Sequence, residues 1–292
     1  MAIEYRYHLG SIVAIFVALL LGILVGIGLA PRPEDFMEVV SGLKRDYQET
    51  RDQNKEEVAQ LTEQLRESEA VGKEAVSAVI ADRLTGRRIA LVLDHDMARG
   101  FGDGLRALLT QAGARVVSTT TFTRDFIALP KEVSSRVSAQ LLLYPPAGAS
   151  FRAVLARSLA RSLALGQPKL IGGLRASGLL EVSADSDYTG PVDTVLVVGG
   201  MQEPSDAIPD QIDAPLIAEL KRLRVRVVGC EARTAEVSCL PIYKAQDIST
   251  VDNVDTLAGR LAVVFALSGV DGHFGVKETA DRLLPDIPAG RF

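Results

Sequence analysis

Five side chains in two short segments carry the donors of a hard or borderline metal site. Asp94, His95 and Asp96 follow directly on an apolar run, and Asp271-Gly272-His273-Phe274-Gly275 follows the last apolar helix. Imidazole and carboxylate suit such an ion, provided that the fold brings the two segments together. Turn chemistry offers the other reading, because Asp commonly closes a strand or opens a helix. Soft donors are fewer: two cysteines, Cys230 and Cys239, and four methionines that do not cluster. A soft-metal site wants several sulfur ligands together. The two thiols therefore read as well as buried core groups, or, outside the cytoplasm, as a disulfide closing a loop of about ten residues and worth about 2–3 kcal/mol. Nucleophilic catalysis lacks its elbow, since no GxSxG occurs. Gly100, Gly102 and Gly104 alternate as in a phosphate-cradling loop but without GxGxxG spacing. The chain is expected to be no enzyme and to require no cofactor.

The elements that must position these groups lie in residues 87–292. Arg88–Leu93 is a buried-strand run, followed by an amphipathic helix at about 103–112, a stop at Gly113 and a second strand at Arg115–Phe122. Thr194–Val198 is a third strand ending in Gly199-Gly200, followed by a helix at about 213–223 and a strand at Val225–Cys230; Cys239 falls in the next apolar run, Val237–Tyr243. Asp255 or Thr256 caps a last helix through Ser268, stopped by Gly269. Strand and helix alternating with short turns imply a Rossmann-like α/β domain with a mainly parallel sheet, whose ligands would sit beyond the carboxyl ends of the strands, at loops 94–104 and 199–209.

Two different stretches precede that domain. After a stub at residues 1–8, the 22 residues of 9–30 contain no charge. As a helix they measure about 33 Å, enough for a hydrocarbon core of about 30 Å. Pro31 and the length of the run favour an uncleaved anchor over a signal peptide. Arg6 and the α-amino group before it, against Arg32 and then Glu34, Asp35 and Glu38 after it, give a thin bias that favours an N-terminus in the cytoplasm and the rest outside. Gly10, Ala14, Ala18, Gly22, Gly26 and Ala30 recur every four residues, a stripe on which a second membrane helix can pack.

Residues 34–84 read as a coiled-coil stalk. Positions 34–83 hold thirteen acidic and seven basic residues, a local −6 against the whole chain's −5 over 292 residues. Their sparse apolar positions Val40, Leu43, Tyr47, Val58, Leu61 and Leu65 follow a heptad seam with Thr50, Asn54 and Ser68 as polar members and a stutter at Asn54. So thin a stripe needs a partner helix, and a parallel homodimer is the expectation, with an antiparallel or heteromeric coil as the alternative. The net negative charge argues against nucleic acid as a partner. Between Val133 and Leu180 there is no acidic residue. Arg152, Arg157 and Arg161 fall in that stretch, either as a solvated helix face or as a docking surface for an acidic partner or an anionic envelope polymer.

The order of parts, the GILVGIG end of the anchor and above all the stretch STVDNVD, a helix and the GHFG turn, at 249–275, resemble the mycobacterial copper transport protein B (MctB) family over essentially the whole chain. The resemblance implies copper homeostasis or efflux at the cell envelope, with copper as the candidate metal and an outer-membrane pore for the mycobacterial members. It also takes in corynebacterial relatives of envelope assembly and division, which implies a membrane protein and a peptidoglycan hydrolase as partners. A single apolar helix per chain favours a single-pass cell-membrane protein, because one helix lines a channel only by oligomerising.

Overall fold

A computed structural model describes residues 3–29, 33–93, 96–202 and 209–286. Contacts divide the chain into two compact units, Met1–Glu69 and Ala70–Phe292.

The first unit is helical: α1 (Ile3–Leu29) and most of α2 (Pro33–Ile80). Side chains on α1 are described continuously from Ile12 to Gly26, all exposed. At about 1.5 Å per residue those fifteen positions cover about 22 Å, short of a hydrocarbon core of about 30 Å. Among the described residues no helix is long and apolar enough to cross a membrane, so they do not by themselves supply the expected 22-residue span.

The second unit is an α/β domain. Its strands are β1 (Arg88–Leu93), β2 (Arg115–Phe122), β3 (Leu180–Val182), β4 (Thr194–Gly199), β5 (Arg226–Glu231), β6 (Ser249–Val251) and β7 (His273–Phe274). They form one sheet in the order β3-β2-β1-β4-β5-β6-β7. Every pairing is parallel except β2 with β3. The first six follow the 3-2-1-4-5-6 order of doubly wound sheets, with the order reversing between β1 and β4. The central strands are apolar without alternation because helices cover both faces. Ala90, Val92, Val195, Val197 and Val227 point into one core. Ile89, Leu91, Leu93, Leu196, Val198 and Val228 point into the other.

The remaining helices are α3 (Asp96–Gln111), α4 (Arg124–Ala128), α5 (Lys131–Leu141), α6 (Phe151–Leu165), α7 (Pro168–Ala176), α8 (Ala214–Arg222), α9 (Leu240–Ala245) and α10 (Leu257–Ser268), with a wide π turn at Pro209–Asp213 before α8. Helices α5 to α9 line the first core; α3, α10 and the end of α2 line the second. Ile80 and Leu84 are fully buried there, with Val76 and Val79 packed beside them. Gly72 meets Leu257 so closely that a Cβ would come within 2.7 Å of its Cδ1. The last turns of α2 thus belong to the domain, and the inward stripe at its end is Gly72, Val76, Ile80.

Two stretches left open by the sequence take definite form at this level. Gly100, Gly102 and Gly104 lie inside α3. They form no phosphate-cradling loop, and Gly102 is buried where a Cβ would crowd Leu93. The run Val237–Tyr243 begins as a bridge to Met201 and becomes α9, with Pro at its first turn.

Candidate functional site

Strand order directs attention to the carboxyl ends of β1 and β4, where the sheet's winding reverses. Asp94 and His95 lie outside the described residues, as does the segment 203–208 after β4. Asp96 is the first residue of α3, and its side chain also lies outside them. His273 sits on β7, four inter-strand spacings from β1. At about 4.8 Å each that is about 19 Å from the end of β1, well beyond what two first-shell ligands of one ion span. That distance is from the end of β1 to the His273 strand; the side chains of Asp94, His95 and Asp96 lie outside the described residues. His273 instead shares a hydrogen bond of 2.9 Å between its Nδ1 and Thr250 Oγ1. Desolvation, reinforced by Lys244, holds its pKa below the usual imidazole value. Among the described residues no group of three or more His, Cys, Asp or Glu is placed to hold a metal ion.

The cysteines are separated in a similar way. Cys230 belongs to the core beneath α3 and α10, and Cys239 to the core beneath α6 and α8. Both are free and fully buried. Lying on opposite faces of the sheet, they form neither a disulfide nor a shared soft-metal site, and of the two readings it is the buried core thiols that the structure shows. Burial, with the adjacent Glu231 carboxylate, pushes the Cys230 thiol far above its usual range and keeps it protonated. Cys239 Sγ accepts the Gly200 N–H at 3.3 Å.

Where β4, β5 and β6 end, charged groups do converge. Glu231, with no exposed surface, accepts from Lys277 Nζ at 2.7 Å through Oε1 and from the Cys239 N–H at 2.9 Å through Oε2. The same ammonium donates to the Ala235 carbonyl at 3.1 Å and, at 3.4 Å, to that of Ala232. Asp252, equally buried, accepts the N–H groups of Val276 at 2.8 Å and Lys277 at 2.6 Å. Val254 N–H reaches the Glu231 carbonyl. The Asn253 carbonyl receives the Thr256 hydroxyl at 2.8 Å, while Thr256 caps α10 by accepting the Gly259 N–H at 3.0 Å. Nearby, Tyr243 lies over Gly229 and Gly199, the adjacent-strand glycines whose missing side chains make room for its ring. Its hydroxyl donates to Asp213 Oδ2 at 2.7 Å.

This cluster accounts for the pattern at 249–277. STVDNVD and GHFGVK are two sides of one buried latch that ties the segment after β7 to the ends of β5 and β6. Removing either member of such an engaged pair would leave the other charge buried and uncompensated, so the pair ties the two segments together. Glu231 and Lys277 were not among the residues singled out by sequence, although a carboxylate closing the apolar strand RVVGCE was a readable signal.

The arginine surface is redistributed. Arg152 is spent inside the domain, donating to the Ile127 and Ala128 carbonyls and to Gln211 Oε1. Arg161 pairs with Glu219 at 2.5 Å, and Arg222 pairs with the same carboxylate. Hydrogen bonds from Arg222 and then Arg161 hold the Glu219 pKa down at about 2. The acid missing from residues 133–180 is thus supplied across the helix contact by α8, a pairing invisible within the window. Arg157 stays exposed, without a salt bridge or hydrogen bond among the described residues. The three do not form one free docking surface.

In the helical unit the seam faces solvent: exposure runs from 44% at Val40 to 72% at Leu43, with Tyr47, Val58, Leu61 and Leu65 between. On α1, Ala14 and Ala18 are exposed, and the Cβ positions of Gly22 and Gly26 meet nothing within 4 Å. The side-chain positions of Gly10 and Ala30 lie outside the described residues.

The family model for copper transport outer membrane protein, MctB, matches residues 2–285. Similar curated proteins include the copper transporter MctB of Mycobacterium bovis and those of two strains of Mycobacterium tuberculosis. Each is 22% identical over 307 aligned positions, covering 94% of this chain and 96% of the relative.

Proposed function

This chain belongs to the MctB copper transport family, and from that premise we propose that it serves copper homeostasis at the cell envelope as a membrane-anchored dimer. The observation that carries the reading is the match across both units, 2–285, which spans the helical part as well as the α/β domain. The name of the curated relatives supports a copper-related role, and the family description supports association with the envelope. The anchor is residues 9–30, whose uncharged composition supports a single membrane pass with the α/β domain outside the cytoplasm. The exposed seam from Val40 to Leu65 supports a parallel pairing of two α2 helices, since a helix with that stripe is unstable in water alone.

That same seam favours a second reading, in which the protein is a non-catalytic dimeric scaffold for envelope-assembly or division enzymes and copper is not its cargo. A deletion strain separates the two. Copper handling predicts lower copper tolerance on deletion, restored by the full chain. Unchanged tolerance, together with recovery of envelope proteins that is lost in a Leu61→Asp, Leu65→Asp variant, contradicts it and leaves the scaffold.

A further inference from the structure

We propose that Asn54 fixes the alignment of two copies of this chain along α2, each Asn54 amide meeting that of the other copy; this rests on the α2 pairing proposed above and adds its register and the residue that sets it. The free stripe on α2 is symmetric about Asn54. Val40, Leu43, Tyr47 and Thr50 lie 14, 11, 7 and 4 residues before it, and Val58, Leu61, Leu65 and Ser68 lie 4, 7, 11 and 14 after it. All nine are exposed. Of the next three members at this spacing, the domain takes two, Gly72 against Leu257 and Val79 against the second core, with Ala75 alone exposed between them. Among the described side chains the continuous stripe left for a partner thus runs from Val40 to Ser68, with Asn54 at its middle.

A second copy is the occupant that this stripe fits. Two steps of four meet at Asn54, so the interval from Tyr47 to Val58 is eleven residues and breaks the heptad phase. A partner helix stays in contact past the break only if it breaks phase at the same height. A copy aligned on Asn54 does so in either direction, because the spacing reads the same both ways. A slip of one heptad in a parallel pair sets the two breaks apart and faces one copy's Asn54 with Leu61, where the amide finds no partner. Facing its equal, the amide has a donor and an acceptor to exchange, the arrangement by which a single polar seam residue specifies register at a cost in stability. Charge points the same way. With Asn54 on Asn54, a parallel pair brings Asp46, at g, to the partner's Arg51, at e, five residues on; an antiparallel pair brings Glu57 to Arg51 instead. Asp46, Arg51 and Glu57 are exposed and make no salt bridge among the described residues. Arg51 and Asn54 line one hollow of about 500 Å³ with Tyr47, Thr50, Lys55 and Val58.

The full chain is cross-linked in native membranes with diamide. The parent, whose Cys230 and Cys239 are buried, serves as the blank. Asn54→Cys should form a disulfide-linked dimer about tenfold faster than Asp52→Cys, which lies on the opposite side of the helix. Two differently tagged copies, one carrying Val58→Cys and the other Leu65→Cys, report a slip of one heptad. Their mixed product should stay near the blank with Asn54 in place and rise about tenfold when Asn54→Leu is added to both, since slipping then strands no amide. Absence of an Asn54→Cys dimer, its linkage to a different protein, or a mixed product unchanged by Asn54→Leu overturns the proposal. Direction is read separately. Leu43→Cys linking to itself supports the parallel pair, whereas Leu43→Cys linking only to Leu65→Cys overturns the parallel reading while the Asn54 alignment stands.

Discussion

Replacing Lys277 by Met isolates what the buried latch contributes. The substitution keeps the aliphatic stem and removes the ammonium, which is bound to Glu231 at 2.7 Å and to two carbonyls. Glu231 then remains with no exposed surface and with the Cys239 N–H, at 2.9 Å, as its remaining side-chain partner among the bonds described above. Removing one member of a buried pair costs about 3–5 kcal/mol because the other charge is left uncompensated. The surviving amide bond places this case at the lower end, about 3 kcal/mol, or roughly two decades in the opening equilibrium. The domain carries its own reporters: Cys230 and Cys239 are fully buried, one in each core, so a thiol reagent reaches them only through opening. Labelling of the full chain under native conditions should accelerate about 100-fold for both thiols in Lys277→Met. A rise at Cys239 alone would mark a local opening beside Glu231. A rate within threefold of the parent at both would refute the latch. The double variant with Glu231→Gln should cost less than the sum of the single changes, as coupled partners do.

Other consequences are as definite. The Glu219 pKa is held at about 2 by Arg222 and Arg161, so its stabilisation is complete above the unfolded value near 4.5 and is lost as pH falls toward 2. With both arginines more than half exposed, screening leaves about 1–2 kcal/mol of the effect; the parent's melting temperature should therefore fall more between pH 5.5 and 3 than that of Glu219→Gln. Gly259→Ala should cost more than about 3 kcal/mol, because its Cβ would overlap the Asn253 carbonyl where α10 begins; urea unfolding measures it. Gly275→Ala should be comparably damaging, since the backbone there has φ +140° and the Cβ would overlap the Asp252 carboxylate. Changing Cys230 and Cys239 together to Ala should leave any Cu(I) bound by the native protein unchanged, because the sheet lies between them; loss of stoichiometric binding in calorimetry would show otherwise.

Much of the α/β architecture was legible because its strongest signals are local. Arg88–Leu93 and Arg115–Phe122 are the observed bounds of β1 and β2, since buried parallel strands read as unbroken apolar or β-branched runs. Thr256 and Gly269 bound α10 as cap and stop, because capping is chemistry within four residues. What stayed hidden depends on pairing at a distance. β7 has two residues and exists because His273 and Phe274 add to the edge of β6, which no periodicity reveals. Helix α9 was not read from the apolar run Val237–Tyr243, although Pro241 removes a strand donor and suits a first helical turn. Histidine and carboxylate spacing suggested a metal set, but sheet order holds His273 away from the end of β1. Arginine spacing suggested a docking face, but α8 supplies Glu219 to Arg161.

The central claim is that this protein handles copper at the envelope, and the most direct test is the rate at which copper-loaded cells lose the metal. Deletion of the protein should slow copper loss and raise cell-associated copper measured by plasma mass spectrometry, and the full chain should restore both. Equal loss rates and equal copper content with and without the protein would contradict it.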